Sequence, residues 1–369
     1  MNILILNWRD IKNPSGGGAE ILTQEIAKRW VSAGNHVVLF TAAFAGSKSD
    51  ESVDGVKIIR KGSWWNVHII AFFYYLFFFR KTFDVVIDEV HWFPFFSIFY
   101  ARKKTVLLAC EVASGLFSYE LPFPLDLFGR LIEKFYLWLY RNASTLAISP
   151  STKEDLVQEG FQSKNITVLP MGLTIPPNTI KQNKEKEKII IFLGRLNKQK
   201  GIDDAITAFH TLKRDKIVDK LWILGAGKKE YLKEIKYRVN SLDLSSSVSF
   251  FGFVNEVEKF KLLSKAHILI VPSVHEGWGL TVSEAGYVGT PAVVYRSRGL
   301  CDTIKNGENG FLVDTNPEGL IAGVKKALND KALYERIRAN AIESAKLYDW
   351  QKSADIGIKF LENFVARKV

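Results

Sequence analysis

The sequence predicts an α/β protein built from two Rossmann-like domains. The chain has 369 residues, more than one typical domain, and 47% of them are hydrophobic while 24% are charged, as in globular proteins. Short apolar segments alternate with amphipathic ones, and the alternation stops and restarts near the middle of the chain. Because alternating strands and helices are typical of a parallel sheet with helices on both faces, two such runs predict two sheets.

The first run predicts an N-terminal domain over residues 1–176. Glu20–Ala33 has apolar residues at helical spacing and ends at Gly34, and Ser149–Gly160 has a helix-capping Ser or Thr at its start. The aromatic stretch Leu116–Tyr140 contains a predicted helix after Pro124. Strands are predicted at Ile3–Leu6, Asn35–Ala42, Val56–Ile59, Val85–Ile87, Val106–Ala109 and Thr145–Ile148.

The second run predicts a C-terminal domain over residues 177–349. Prolines and a glycine cluster at 170–179, and this segment is the candidate linker. Strands are predicted at Ile189–Leu193, Lys220–Leu224, Val248–Phe251 and Ile268–Val271, and helices at Gly201–Leu212, Glu230–Asn240 and Asn255–Lys265. In such sheets ligands bind at the carboxyl ends of the strands, and two domains facing each other would form a cleft there.

The formal net charge of +11 narrows the possible partners. Most of the basic excess lies in the second half, where the alternating Lys and Glu run at 181–188 is a predicted solvated linker. A basic balance suits nucleic acid, anionic lipid or a phosphorylated small molecule. Because no nucleic-acid-binding module is found in the sequence, we expect no nucleic acid partner and favour the other two.

Two features predict a cytoplasmic location. Cys110 and Cys301 lie far apart in the sequence, which argues against a disulfide framework and for a reducing compartment. The opening segment MNILILNW lacks the basic region and the cleavage site of a signal peptide, so we expect it to be a first buried strand.

The segment 63–79, SWWNVHIIAFFYYLFFF, is the one candidate for a membrane span. Its length is close to the lower limit of about 17 residues. However, Asn66 and His68 interrupt it, and it directly precedes a predicted strand of the first domain. We therefore expect a helix with one face in the core and an aromatic face available to lipid.

The sharpest motif is EGWGLTVSE at 276–284, where a predicted strand enters a glycine-rich loop and a helix follows. Free backbone N–H groups and the helix dipole at such a helix start suit a diphosphate. Glu276 in the loop and Glu284 in the helix are candidates to accept hydrogen bonds from sugar hydroxyls. The dipole alone favours an acidic residue near a helix start, but it does not account for both glutamates and the glycines between them.

Two further segments join a strand to a helix. In GRLNKQKG at 194–201, Arg195 and Lys200 are candidates to neutralise the charge on a departing diphosphate, whereas Lys198 is a predicted surface residue. In SGGGAE at 15–20, glycines allow the backbone to approach a ligand closely. Neither this segment nor Leu224–Gly227 matches the dinucleotide fingerprint, which argues against a dehydrogenase.

Taken together, these motifs resemble those of the retaining glycosyltransferases of family 4 (glycosyl transferases group 1), which have the GT-B fold of two Rossmann-like domains. The resemblance covers nearly the whole chain. The matching segments are GGAE at 17–20, GRLNKQKG at 194–201, FFGFV at 250–254, the two glutamates of 276–284, and GLCDTIKNGENGFLV at 299–313.

The resemblance implies a role for each candidate residue. Arg195 and Lys200 would hold the donor diphosphate, and Glu276 would contact the transferred sugar, which makes these three the catalytic candidates. Glu284 would bind the ribose hydroxyls. The other residues implied to line the donor site are Gly17, Gly18, Phe253, Val254, Gly277, Trp278, Gly279, Leu280 and Thr281.

The resemblance implies different roles for these donor-site residues. Gly17 and Gly18 would approach the phosphate from the N-terminal domain, and Phe253 and Val254 would lie near the base. The loop at 277–280 would supply backbone N–H groups. Residues 350–369 would form a helix that crosses back to the N-terminal domain.

The implied donor is a nucleoside-diphosphate sugar of the UDP or GDP type, used as a substrate rather than as a cofactor. The sequence has no Asp-x-Asp pair, so no metal ion is expected to bridge the diphosphate. Aromatic residues are abundant in the first half, including Trp64, Trp65 and the segment 92–96. They favour a glycan or lipid-linked acceptor and a peripheral contact with an anionic membrane.

One position departs from the family pattern. Members usually carry a histidine at the end of the strand before the aromatic stretch, where this chain has Cys110 followed by Glu111. Cysteine cannot act as a cationic donor at neutral pH. Either another group compensates, with His275 a candidate, or the acceptor chemistry differs, or activity is reduced. A catalytically inert scaffold of the same fold and another nucleotide-sugar enzyme, such as an epimerase, therefore stay open.

Overall fold

A computed structural model of the chain describes residues 1–113, 115–177, 179 and 183–367. They form two compact units, Met1–Gly172 with Asp349–Val369 and Leu173–Tyr348. Each unit contains one sheet flanked by helices, which confirms the predicted α/β fold with two parallel-sheet domains. Lys181 of the predicted charged linker and the last two residues of the predicted C-terminal helix lie outside the described residues.

The first unit contains an eight-stranded sheet. Its strands are β1 (Asn2–Leu6), β2 (His36–Thr41), β3 (Asp50–Val53), β4 (Val56–Arg60), β5 (Val85–Val90), β6 (Thr105–Ala109), β7 (Ser144–Ala147) and β8 (Ile166–Val168). Their order is β3-β4-β2-β1-β5-β6-β7-β8, and only the β3–β4 pair is antiparallel among the described strands. The strand order reverses between β1 and β5, where such sheets bind their ligands at the carboxyl edge.

In the part of the first unit that the structure describes, six α-helices connect these strands. They are α1 (Gly18–Ser32), α2 (Val67–Tyr74), α3 (Ser97–Tyr100), α4 (Phe117–Glu120), α5 (Leu125–Tyr140) and α6 (Pro150–Gln158). The start of α6 follows the sequence prediction, because the Ser149 hydroxyl accepts a hydrogen bond from the Thr152 N–H at 3.0 Å and Pro150 occupies the first turn. The core of this unit lies between the sheet and the buried faces of these helices.

The second unit contains a six-stranded sheet in which all described neighbouring pairs are parallel. Its strands are β9 (Ile189–Leu193), β10 (Lys220–Leu224), β11 (Val248–Gly252), β12 (Ile268–Val271), β13 (Ala292–Tyr295) and β14 (Gly310–Val313). Their order is β11-β10-β9-β12-β13-β14, so the switch point of this sheet lies between β9 and β12.

Among the described residues of the second unit, seven α-helices cover this sheet. They are α7 (Ile202–Arg214), α8 (Lys229–Ser241), α9 (Glu256–Lys265), α10 (Leu280–Tyr287), α11 (Leu300–Thr303), α12 (Pro317–Asn329) and α13 (Lys331–Ala345). The apolar side chains of β9, β10, β12 and β13 are buried on both faces of the sheet, in two core clusters. Strands buried on both faces are continuous apolar runs, which explains why β9 and β12 are easy to find in the sequence.

The last helix, α14 (Trp350–Ala366), belongs to the first unit. It packs against α1, where the Trp30 indole N–H donates to the carbonyl oxygen of Ala354 at 2.8 Å. Gly172 faces the ring of Trp350 so closely that a Cβ there would lie 2.4 Å from it.

The sequence analysis does not predict β3, β8, β13 or β14. β3 (DESV) is polar and pairs only with β4 in the described sheet, and β8 has three residues, so neither is long and apolar enough to be recognised as a buried strand. The segment 63–79 is helical only from Val67 and changes to a π-helix at Tyr75–Phe79. None of the helices within the described residues has the length and the hydropathy to cross a membrane.

Candidate active site

Two motif loops meet at the switch point of the second sheet. The loop 194–201 follows β9 and the loop 272–279 follows β12, and these two strands are neighbours. Lys200 Nζ lies 2.5 Å from Glu276 Oε1, and both side chains are largely buried. The structure therefore joins two residues 76 positions apart that the sequence indicates separately.

The first loop has its shape for local reasons. The Asn197 side chain accepts a hydrogen bond from the Lys200 N–H at 3.0 Å and so caps a short 3₁₀ turn, Lys198–Lys200. Gly201 then has φ +70°, and a Cβ there would lie 2.1 Å from the Pro272 carbonyl oxygen of the second loop. Only glycine permits this close approach of the two loops.

Arg195 lies at the open side of the same loop. Its side chain is exposed, and within the described part of the chain it forms no ion pair. Its guanidinium is therefore available to an anion, in contrast to Lys200, whose ammonium group is held by Glu276.

The second loop ends in a helix start that is open to an anion. Gly279 has φ +98° and precedes α10, and no side chain caps this helix start by a hydrogen bond. Backbone N–H groups in the first turn of a helix and its dipole together favour negative charge. Leu280 and Thr281, which supply that first turn, and Gly277 in the loop are all half-buried.

Trp278 contributes its backbone rather than its ring to this edge. The indole is buried and packs edge-to-face on Tyr348, with 5.4 Å between the ring centres. Its N–H has no hydrogen-bond partner among the described atoms. We conclude that the buried ring of Trp278 anchors the loop in the interior of the second unit.

The Glu276 loop is held in place by the segment before α11. The Glu276 N–H donates to the Arg298 carbonyl oxygen at 3.2 Å, and the Ser297 hydroxyl donates to the Ser273 carbonyl oxygen at 2.8 Å. A Cβ on Gly299 would lie 2.3 Å from the Glu276 carbonyl oxygen. The family-like segment at 299–313 therefore begins with a residue that supports Glu276.

Glu284 is the second carboxylate of the motif, and it is 8% exposed. Its Oε1 atom lies 2.7 Å from Nζ of Lys259, which also pairs with Glu256 at 2.8 Å. Burial is the largest single influence on the pKa of Lys259 and lowers it, but the two carboxylates together outweigh burial and raise that pKa. Lys259 therefore remains charged. It opposes the effect of burial on Glu284, which is the larger influence and raises the pKa of that carboxyl group.

Sequence reasoning missed Lys259. The sequence feature that could have indicated Lys259 is its position in the first turn of α9, shortly after the Phe253–Val254 segment. Asn255 caps this helix, since its side chain accepts a hydrogen bond from the Glu258 N–H at 2.9 Å. Phe253 is 86% exposed beyond the end of β11, whereas Val254 is half-buried against the core. An exposed aromatic ring at this edge is suited to stacking on a flat base.

The glycine loop of the first unit lies after β1, at the carboxyl edge of its sheet. Glu20 organises it, because its Oε2 atom accepts from the Gly17 N–H at 2.6 Å and its Oε1 atom pairs with Arg9 Nε at 2.8 Å. Arg9 also donates to the Ser15 carbonyl oxygen at 2.8 Å. Gly17 and Gly18 are exposed, but the amide of Gly17 is already bound to Glu20.

Cys110 is a buried thiol at the end of β6. Burial is the main cause that raises its pKa well above the ordinary value, and the nearby Glu89 carboxyl group adds to the shift. Burial likewise raises the pKa of Glu89 to about 8. The thiol donates to Glu89 Oε1 at 3.6 Å, and the Thr23 hydroxyl donates to Glu89 Oε2 at 2.6 Å. Cys110 is therefore a neutral donor within a buried cluster, and no thiolate forms at neutral pH.

His275 precedes Glu276 in the second loop. Burial is the main cause that lowers its pKa, and Lys200 and Arg298 lower it further, so the imidazole is neutral at pH 7. Among the described residues, no group of three or more His, Cys, Asp and Glu is arranged to hold a metal ion.

The two parallel-sheet units define the GT-B class of α/β protein. A family model for glycosyl transferases group 1 matches residues 177–344, and one for glycosyltransferase family 4 matches residues 16–175. The chain belongs to this family of transferase enzymes, which confirms the family resemblance of the motifs. The matched regions include all the candidate donor-site residues named above.

Known relatives agree with this assignment. An uncharacterized glycosyltransferase of Methanocaldococcus jannaschii is 37% identical over 46% of this chain and 44% of its own length. Sucrose-phosphate synthase from Thermosynechococcus elongatus has the same fold, with a TM-score of 0.82 and 19% identity over 99% of both chains. Anabaena HepE, solved in complex with UDP and glucose, has a TM-score of 0.73 and 18% identity over 98% of this chain and 100% of its own. The chain matches about half the length of the first curated relatives.

Proposed function

We propose that this protein is a retaining glycosyltransferase that moves a sugar from a nucleoside-diphosphate sugar to a hydroxyl group of a glycan or lipid-linked acceptor. The donor is of the UDP or GDP type. The observation that carries the proposal is the meeting of Arg195, Lys200, Glu276 and the uncapped start of α10 at one switch point. The UDP complex of the structurally similar HepE supports the choice of donor class.

The proposed roles follow from the charges at this edge. The diphosphate lies against the start of α10, with Arg195 and Lys200 neutralising the charge that develops as the leaving group departs. Glu276 accepts hydrogen bonds from the transferred sugar, and Glu284 accepts them from the ribose. Phosphate binding draws Lys200 away from Glu276, which frees that carboxylate for the sugar.

The supporting residues complete the proposed site. Phe253 stacks on the base, with Val254 behind it. The loop 277–281 binds through its backbone. Arg195, Lys200 and the helix start supply the positive charge that a bridging metal ion provides in other transferases.

Nucleotide binding tests the donor site directly. We expect one of UDP, GDP, ADP and CDP to bind the wild type in calorimetry without added metal. Glu284→Ala should weaken that binding by roughly ten- to a hundredfold, because a hydrogen bond to a charged group contributes about 1.5–3 kcal/mol. Lys259 keeps Glu256 as a partner in this variant, so the fold should persist.

The matched control is Glu258→Ala, which removes an exposed glutamate of α9 paired with Lys261. It should bind the nucleotide as the wild type does. Absence of binding for all four nucleotides would contradict the donor site and favour an inert scaffold. A transferase would release nucleoside diphosphate only when an acceptor is added, whereas an epimerase would convert the donor without releasing it.

The first unit presents an apolar surface that supports a membrane contact. The connections β4–β5, β5–β6 and β6–β7 run in one direction across the sheet, so the right-handed crossover rule puts α2, α3 and α5 on one face. Ring contact between Phe72 and Tyr100, with centres 5.4 Å apart, joins α2 to α3. The exposed apolar residues of this face include Ile69, Phe73, Phe77, Phe78, Phe99, Phe128, Leu131, Phe135 and Trp138.

Cations border this apolar face. The connections over α2, α3 and α5 end at the amino edge of the sheet, where each next strand begins. Exposed or half-buried basic residues stand there, namely Arg80, Lys81, Arg102, Lys103, Lys104 and Arg141. An aromatic face with a basic border is complementary to an anionic bilayer. We therefore propose that this face docks peripherally on an anionic membrane.

Liposome flotation tests the membrane contact. The protein should float with vesicles containing phosphatidylglycerol, and less so at high salt, because anionic lipid attracts the basic border. It should remain unbound with phosphatidylcholine alone. The double variant Phe77→Ser/Phe78→Ser should lose flotation, whereas Tyr237→Ser, which changes an exposed ring of the second unit, should not. A wild type that stays unbound in both cases, with unaltered activity, would contradict the contact.

A further inference from the structure

An aromatic pocket of about 460 Å³ lies at the switch point of the first sheet. Trp8, directly after β1, and the segment 91–96, directly after β5, form one part of its wall. Trp64, Trp65 and His68, from the start of the α2 region, form the other. Both its location and its volume, which falls within the usual range of about 300–1,000 Å³, are typical of a ligand site.

The lining of this pocket is aromatic and uncharged. Among the described residues, four tryptophans, two phenylalanines, two histidines and a proline line it, with no carboxylate, amide or hydroxyl side chain. The Trp8 indole N–H donates to the His91 carbonyl oxygen at 3.1 Å, so that polar group is occupied. Burial lowers the pKa of His68, which keeps it neutral, and its ring stacks on Phe95 with 4.4 Å between the ring centres. Its Nε2 atom has no hydrogen-bond partner among the described atoms, so it is a polar group that the lining offers to a ligand.

This chemistry favours a hydrocarbon over a sugar. A glycan has a hydroxyl group on most carbons, and each one that is buried without a hydrogen bond costs free energy. A hydrocarbon chain needs only apolar contact, which this wall supplies over most of its area.

The pocket is held in shape by a buried carboxylate. Asp88 accepts hydrogen bonds from the N–H groups of Phe95 at 2.7 Å and Ser97 at 2.9 Å, and from the Tyr140 hydroxyl at 2.5 Å. Trp92, in the same segment, has φ +89°, which is a rare conformation for a bulky residue. Backbone strain of this kind persists where the surroundings fix it, and it clusters at ligand sites.

The mouth of the pocket is continuous with the apolar face of the first unit. Trp64 and Trp65 are 70% and 66% exposed, and they directly precede α2. The exposed residues of α2 and the π-helix follow from there, beginning with Ile69 and Phe73. Two exposed tryptophans beside an apolar pocket indicate that this surface is covered by apolar material when the protein works.

We propose that this pocket binds the hydrocarbon chain of a lipid-linked acceptor. The inference rests on the proposed function, and it selects the lipid-linked acceptor over the free glycan. Trp8 and the glycine loop belong to the same β1–α1 connection. The pocket and the glycine loop therefore follow the same strand of the first sheet.

The test uses farnesyl monophosphate as the probe, titrated calorimetrically below its micelle concentration. Inorganic phosphate and maltotriose serve as comparison ligands. The wild type should bind farnesyl monophosphate but neither comparison ligand. Trp64→Ala/Trp65→Ala should weaken this binding by at least about tenfold, because it removes two large apolar contacts. Tyr237→Ala, which removes a 76% exposed aromatic ring of the second unit, outside both the pocket and the apolar face, is the control and should bind normally.

Two results would overturn the inference. One is equal affinity of the wild type and the double variant for farnesyl monophosphate. The other is binding of maltotriose in place of the lipid phosphate, which would assign the pocket to a glycan. Nucleotide titration of the same preparations separates this inference from the proposed function. Nucleotide binding without lipid binding overturns the inference alone, and failure of every nucleotide overturns the proposed donor site whatever the lipid result.

Discussion

Arg195→Ala is expected to lower turnover by at least about a hundredfold, with little change in stability. The guanidinium is exposed and forms no ion pair in the described part of the chain, so its removal breaks no internal contact. A preorganised cation at a departing diphosphate stabilises the transition state, and loss of one such group costs about 2.7–4 kcal/mol. The measurement is release of nucleoside diphosphate at saturating donor, together with the melting temperature.

Lys198→Ala is the matched control for this prediction. Lys198 lies in the same loop, carries the same charge and is exposed, but it is not placed in the donor site. Its variant should retain turnover within about twofold, because a distant exposed charge is screened by solvent and salt. If Arg195→Ala keeps near-wild-type turnover, Arg195 does not belong to the site. If Lys198→Ala loses as much turnover as Arg195→Ala, the loss reflects only the general effect of removing a positive charge.

Lys200→Ala should lower turnover to a similar extent, but for two reasons that the kinetics can separate. It removes a cation from the diphosphate, and it leaves Glu276 without its partner at 2.5 Å. Lys200→Gln would keep a hydrogen-bond donor for Glu276 while removing the charge. If Lys200→Gln restores KM more than kcat, relative to Lys200→Ala, the Lys200–Glu276 pair positions the carboxylate proposed to bind the sugar.

The sequence predicted the fold well where strands are continuous apolar runs. β1, β9 and β12 are buried over nearly their whole length, so each has the pattern of a strand inside a parallel sheet. It failed where strands are short or polar, as at β3, because such strands exist only through their pairing with neighbours. Pairing across the sheet leaves no periodic signal in the segment itself.

The sequence indicated the residues of the proposed donor site as a set but not their geometry. Glycines beside charged residues after a strand indicate a loop that approaches a ligand, and this reasoning selected Arg195, Lys200 and Glu276. The pairing of Lys200 with Glu276 depends on β9 and β12 being neighbours, which the strand order alone decides. Lys259 was missed because a lysine on a helix is ordinarily solvated, and its contact with Glu284 is visible only in the folded chain.

The first unit shows a further limit of sequence reasoning. The aromatic residues at 64–96 divide into core, pocket wall and exposed face only after folding, and residues one position apart fall into different groups. Phe95 is buried, while Phe93 and Phe96 line the pocket. Composition therefore indicated an apolar partner without locating the pocket.

Each glutamate of the 276–284 motif is paired with a lysine from another segment of the second unit. Lys200 holds Glu276 and Lys259 holds Glu284, so each carboxylate of the motif has an ammonium group within 2.7 Å. Two carboxylates close to a diphosphate would repel it in the absence of these cations. In the proposed site, the two lysines would therefore reduce the repulsion between an anionic donor and the two carboxylates of the motif.

Lys259→Met is expected to destabilise the protein by about 3 kcal/mol at neutral pH, because it leaves the buried Glu284 without its counter-ion. It should also weaken nucleotide binding. Burial already raises the pKa of Glu284, and Lys259 is the main group that opposes this shift. In the variant that pKa rises further, so part of the population carries a neutral carboxyl group where the ribose needs an acceptor.

The loss of stability caused by Lys259→Met should increase with pH. Below the unfolded-state pKa of Glu284, about 4.5, the group is protonated in both the folded and the unfolded chain, so the variant loses little. As the pH rises above that value, the unfolded chain ionises while Glu284 of the folded variant stays protonated, so the variant becomes progressively less stable than the wild type. The loss becomes constant once the pH passes the raised folded-state pKa. Melting temperatures measured from pH 5 to pH 8 should therefore diverge with increasing pH.

Lys261→Met is the control on the same helix. Lys261 pairs with Glu258 at 3.2 Å, and both side chains are exposed, so its loss should cost less than about 1 kcal/mol at any pH. A Lys259→Met protein as stable as Lys261→Met at pH 8, with unchanged nucleotide affinity, would show that Glu284 needs no counter-ion. Ribose recognition would then depend on the carboxyl group alone, and Lys259 would be an ordinary lysine of α9.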